Sequence, residues 1–172
     1  RSAVRSGVLV AAVAAVATSL DGLSDVGLRE LRTAVETVQA HERPWIEKGR
    51  ETREAWERLV TALEPKTYGE RLRQQLGSWS RVVSPSDEEV HDRELAREAL
   101  ERPDDLRREL SWLESSDALR GVHFLVVLGD EDRDAFFLSD LVARAASAPG
   151  LVSGYLAGHE KAGRSSLVQA TL

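Results

Sequence analysis

The sequence predicts an all-α fold of stacked helical hairpins, arranged as an irregular αα-solenoid or as a helical bundle. Three observations carry that expectation. Apolar residues recur three and four positions apart, as in Leu28, Leu31, Val35 and Val38. Helix start and stop chemistry separates these segments, as at Thr67 with Glu70 and at Ser84-Pro85-Ser86-Asp87. No stretch combines sustained alternation of apolar and polar residues with β-branched enrichment and hairpin turn dipeptides.

Gly7 to Leu20 carries no charge and is rich in Ala. It is too short to span a bilayer, which takes roughly 20 apolar residues. Arg5 ahead of it and Ala15-Val16-Ala17 near its end also fit a secretory signal. The favoured expectation is a helix buried on most of its circumference, with Ala permitting close neighbours. Asp21-Gly22 ends it, and Ser24 or Asp25 caps an amphipathic helix that His41-Glu42-Arg43-Pro44 should break. The next helix turns Trp56, Leu59, Val60 and Leu63 inward and closes at Glu64-Pro65-Lys66.

Thr67 and Glu70 form a capping box for a short helix lined by Tyr68, Leu72, Leu76 and Trp79. Acidic residues after Ser84-Pro85 favour a helix start there, since they meet the positive end of the helix dipole. That helix, Asp87 to Glu101, has Val90, Leu95, Ala96, Ala99 and Leu100 to bury among many charges, and is expected on the outside. Arg102-Pro103-Asp104-Asp105 opens a helix with Leu106, Leu110 and Leu113 on one stripe and Trp112 beside it.

Ser115 to Asp130 is the densest apolar block and is expected to hold one buried helix, with His123 buried among apolar neighbours. A strand over His123 to Leu128 is the competing reading, but no second parallel strand exists to pair with it. A further helix carries Phe137, Leu138, Leu141, Val142 and Ala145 until Pro149-Gly150. Gly163 then separates Leu151 to Ala162 from Arg164 to Leu172, and Gly154 and Gly158 are spaced for close helix packing.

With 172 residues, one compact helical domain over 1–172 is expected, with any internal boundary at 80–86. A first residue other than Met suggests a fragment of a larger protein. The 23 Lys and Arg against 29 Asp and Glu give a net charge of -6, which disfavours nucleic acid and anionic membranes. Opposite charges at helical spacing, as in Arg50-Glu51-Thr52-Arg53-Glu54, describe exposed helix faces. Absence of Cys excludes disulfides, thiolate metal sites and a thiol nucleophile, and fits a cytoplasmic location.

From Leu106 to Val142 the order of features resembles a HEAT-type repeat. Leu110-Ser111-Trp112-Leu113-Glu114 stands where the first helix ends, Ser115 to Asp117 at the turn, Ala118 to Leu128 as the second helix and Gly129-Asp130 as the exit turn. The resemblance implies a stacked helical hairpin and a concave face for a partner.

His41, His91-Asp92 and Asp140 follow the order of ligands in the HD family of metal-dependent phosphohydrolases, which this set resembles in order alone. Such ligands suit a divalent ion that activates water. Here His91-Asp92 lies in the charged run Glu88 to Glu94, which reads as a solvated face. Asp130 to Asp134 lacks the glycine and closing glutamate of a calcium loop.

Four Trp residues stand in a chain with few aromatics. Trp56 and Trp79 fall on inward stripes, leaving Trp45 and Trp112 as candidates for partner binding. The functional expectation is a noncatalytic helical interaction or scaffold module, with no metal or cofactor, binding a protein partner or other domains of its own chain. An all-helical small-ligand-sensing domain is the alternative, and an HD-type hydrolase the third.

Overall fold

The computed structural model describes residues 13, 15–16, 19–46, 50–77 and 85–164. Eight α-helices and no strands occur among the described residues. They are α1 (Asp25–Ile46), α2 (Arg50–Leu63), α3 (Tyr68–Leu76), α4 (Pro85–Glu101), α5 (Pro103–Leu113), α6 (Gly121–Glu131), α7 (Leu138–Val142) and α8 (Pro149–Lys161). The fold is all-α, as the periodicity predicts. The chain divides into two compact units, Arg1–Pro65 and Lys66–Leu172. The division falls at Pro65, and the helices on either side of 80–86 belong to one unit.

In the first unit α1 packs on α2. Val35 meets Ala55, Trp56, Leu59 and Leu63, with Val13 in the same cluster and Leu28, Leu31 and Val60 at its edge. The Nε–H of Arg32 donates to the carbonyl of Leu63 at 2.5 Å, occupying an acceptor that the helix end leaves without an intrahelical donor. Helix α1 continues through Pro44 to Ile46, past the expected break. Pro44 is the third residue from the helix end, so its missing N–H costs a bond only in the last turn. Most of Gly7 to Leu20, with the buried-helix and signal readings placed on it, lies outside the described residues, as do Trp79 and the segment after Arg164.

The second unit holds the larger core. Tyr68, Leu72 and Leu76 of α3 meet Leu106, Leu110 and Leu113 of α5, Leu95, Ala96 and Ala99 of α4, and Phe124, Leu125 and Leu128 of α6. Burying one such Leu or Phe stabilises by about 1.5–3 kcal/mol. Thr67 Oγ1 accepts the N–H of Glu70 at 3.2 Å, while the Glu70 carboxylate accepts the N–H of Lys66 at 2.7 Å, one residue earlier than a strict capping box. Pro85 and Pro103 both stand at helix starts, where a missing N–H costs nothing.

Helix α4 is not peripheral: it packs against α3, α5 and α6. Its small residues Ala96 and Ala99 have no exposure and admit those neighbours closely. The 115–130 block does form a helix, but only from Gly121. Ser115 Oγ accepts the Asp117 N–H at 3.3 Å and the Ala118 N–H donates to the Ser115 carbonyl at 3.2 Å, so 115–120 close into turns. Gly129-Asp130 is no exit turn, because α6 runs on to Glu131. Helix α7 is only five residues long, and Pro149-Gly150 opens α8 rather than only ending what precedes it.

Gly129 lies where α8 crosses α6. A Cβ there would strike the Tyr155 carbonyl, one at Gly154 would come within 2.7 Å of the Val122 carbonyl, and one at Gly158 within 2.8 Å of the Asp130 nitrogen. The three glycines let the α6 and α8 backbones touch, and that contact seats Tyr155 and His159 inside the unit. Between α6 and α7, Asp132 ties the connection down. Its carboxylate accepts the Phe137 N–H at 3.2 Å and the Tyr155 hydroxyl, across a loop in which Ala135 adopts φ of 53°.

Candidate functional site

The most concentrated polar chemistry lies where α3 ends against α4 and the start of α6. Asp92 has no exposed surface. It shares a helical stripe with the buried Leu95, Ala96 and Ala99, three, four and seven positions on, so the packing that buries them buries its carboxylate. Arg120 is 6% exposed. It donates from Nη2 to Asp92 Oδ2 at 2.8 Å, and Gln75 Nε2 donates to the other oxygen at 3.3 Å. Glu88 Oε2 lies 3.5 Å from the same guanidinium nitrogen, near the rim.

Arg120 also terminates α3. Its backbone N–H donates to the Leu76 carbonyl at 3.0 Å and its Nη1 to the Gln75 carbonyl at 3.4 Å. A cation at the negative end of a helix dipole is favourable there, and two otherwise orphaned carbonyls gain donors. Burial raises the Asp92 carboxyl above its usual range, while Arg120, the Gln75 amide and His123 pull the other way.

His123 contradicts its expected burial. Its side chain is 57% exposed, with Nε2 3.8 Å from Asp92 Oδ2. The first turn of α6 turns Val122 and His123 outward and Phe124 and Leu125 inward, so the apolar neighbours in sequence are not all neighbours in space.

Among the described residues, His91, Asp92 and Asp140 do not come together as metal ligands. Asp92 is committed to Arg120, and Asp140 accepts from Arg107 Nε at 3.0 Å. His91 is exposed, and the His41 side chain lies outside the described residues. Among the described residues no three His, Asp or Glu side chains converge as a metal would require.

Of the two partner-binding candidates, the side chain of Trp45 also lies outside the described residues. Trp112 is half-buried on the edge of the core, with the Arg73 guanidinium carbon 5.9 Å from its ring centroid. Arg73 in turn donates to Glu109 at 2.8 Å, which fixes it over the indole. No local sequence pattern points to Arg120, the buried Asp132 or a role for His159. Asp92 and His159 were nonetheless legible as members of apolar helical stripes.

Compared with known protein families, curated proteins and solved structures, the chain matches none.

Proposed function

We propose that this chain is a noncatalytic helical module for protein–protein interaction or scaffolding, acting in the cytoplasm on a protein partner or on other domains of its own chain. The observation that carries this reading is the unequal use of polar and apolar groups in the second unit. Many of its guanidinium groups tie distant parts of the chain together: Arg71 to Glu98, Arg73 to Glu109, Arg93 to Asp130 and Glu131, Arg107 to Asp140, and Arg144 to Glu114. Large apolar side chains meanwhile stand in water. Leu119 and Val122, at the approach to α6 and in its first turn, are 48% and 49% exposed, and Phe136 and Val142 around α7 are 46% and 43% exposed. Polar groups arranged for rigidity with apolar groups left outside suit a surface that docks.

Half-buried Trp112, steadied by Arg73, is the aromatic anchor assigned to that docking, and Trp45, in the first unit, is a separate partner-binding candidate. A net charge of -6 favours protein over nucleic acid or an anionic membrane. Among the described residues no helix is long and apolar enough to cross a membrane.

The reading is tested by placing a photo-crosslinking amino acid at positions 112, 119 and 122 in cells, with exposed Glu101 as the control position. A discrete adduct with one protein at the three positions and none at 101 is the expected result. Identical bands at all four positions, or none above background, would contradict it.

A further inference from the structure

Helix α8 ends in an arrangement that the interaction reading does not use. His159 has no exposed surface, packed edge-on against Tyr155 with ring centroids 4.8 Å apart. Its Nδ1 accepts a hydrogen bond from Arg164 Nε at 3.1 Å. An arginine is always a donor, so Nδ1 carries no proton and the neutral ring holds its proton on Nε2, which has no partner. Arg164 continues across to α6: its Nη2 donates to the Gly129 carbonyl at 2.6 Å and to the Asp130 carbonyl at 2.8 Å. These are among the last carbonyls of α6, where a cation complements the helix dipole. The Arg164 backbone N–H returns to the His159 carbonyl at 2.8 Å, closing the loop from helix end to guanidinium.

We propose that His159 and Arg164 form a proton-operated latch between α8 and α6, closed when His159 is neutral and opened when it is protonated. Protonation places a hydrogen on Nδ1, the atom that accepts from Arg164, and sets a buried imidazolium against a partly buried guanidinium. The guanidinium then leaves, and the α6 carbonyls it held lose their donors. One nearby carboxylate, Asp132, opposes the repulsion only in part. Asp132 is the charged neighbour that favours the imidazolium, but its carboxylate is already engaged by the Tyr155 hydroxyl and the Phe137 N–H. The Asp130 side chain is bonded to Arg93 instead. Glu160 and Lys161, on the same helix, are exposed. Burial and the Arg164 charge hold the His159 pKa below the ordinary histidine range, with Asp132 opposing. The latch therefore stays closed at neutral pH and opens on the acidic side of the usual histidine value. A local fall in pH would be the signal.

The test follows the ring and the guanidinium together by NMR on the full chain. The Arg164 Nε–H resonance should be shifted and slow to exchange at pH 7.5, and should move to the position of a free guanidinium on acidification, in step with titration of the His159 ring. His159→Gln has a neutral side chain at every pH, and should abolish the acid-dependent change at Arg164. Arg164→Ala, read through the His159 ring, gives an independent arm should His159→Gln not fold. Loss of the neighbouring cation should raise the pH at which His159 titrates by about half a unit or more, a threefold change in proton affinity. The latch is refuted if His159 titrates with the Arg164 resonance unmoved, if His159→Gln keeps the acid response, or if Arg164→Ala leaves the His159 titration where it was.

Discussion

Replacing Asp92 with Ala takes the carboxylate from a guanidinium that is itself almost wholly buried. Arg120 then retains the Gln75 carbonyl at 3.4 Å and Glu88 at 3.5 Å, neither as close as the 2.8 Å contact it loses. Breaking a buried pair on one side costs about 3–5 kcal/mol, and the remaining neighbours place this case near 3 kcal/mol. For a unit of this size that corresponds to a fall in Tm of roughly 12 °C. Urea and thermal unfolding followed by far-UV circular dichroism measure it, with Glu89→Ala, whose ion pair with Arg93 is largely exposed, as the reference at about 0.5 kcal/mol. The companion variant Asp92→Leu with Arg120→Met removes both charges and should recover most of the loss, because neither ion is left buried and unpaired. Asp92→Asn, which resembles the protonated acid, should cost less than the Ala change. The pH dependence has a definite sign. Since burial holds the Asp92 carboxyl above its ordinary value, its contribution is full below that ordinary value and is lost as pH rises through the elevated one. Asp92→Asn should flatten that part of the profile. An Asp92→Ala cost no larger than that of Glu89→Ala would refute the reasoning.

The glycine contact between α6 and α8 should tolerate no side chain. Gly158→Ala drives a Cβ into the backbone of α6 and should lower stability by about 3 kcal/mol in urea unfolding, whereas an Ala at exposed Gly22, which meets nothing within 4 Å, should change it by less than about 1 kcal/mol. Tyr155→Phe leaves the buried Asp132 carboxylate with the Phe137 N–H alone, so a loss of about 2 kcal/mol is expected by the same assay. Equal stability of that variant and the wild type would show that the hydroxyl is not a necessary donor to Asp132.

Helical periodicity made the fold class readable, because stripes such as Leu106, Leu110 and Leu113 state which face is buried. Residues at capping positions also behaved as their chemistry requires, Thr67 most directly. Harder to read was which partner each stripe met. Asp92 looked solvated because Glu88, Glu89, Arg93 and Glu94 surround it in sequence, although its spacing from Leu95, Ala96 and Ala99 put it on the buried face. What allows a carboxylate there is Arg120, 28 residues away, and no local pattern announces that pairing. For His159 the close helix packing at Gly154 and Gly158 was readable, but not that the neighbour is α6 or that Arg164 meets the ring. His123 failed in the other direction: a run of apolar residues was read as burial for every member, yet a helix surface must face outward somewhere.

The central claim is that the second unit is a rigid docking surface rather than a reaction centre. The most direct test replaces Leu119 and Val122 with Asp together and measures affinity for the protein captured at those positions, alongside Tm. Both side chains are about half exposed, so the fold should survive with Tm within about 3 °C while affinity falls about 30-fold, the loss of one interface hot spot of roughly 2 kcal/mol. Unchanged affinity in the folded double variant would contradict the account.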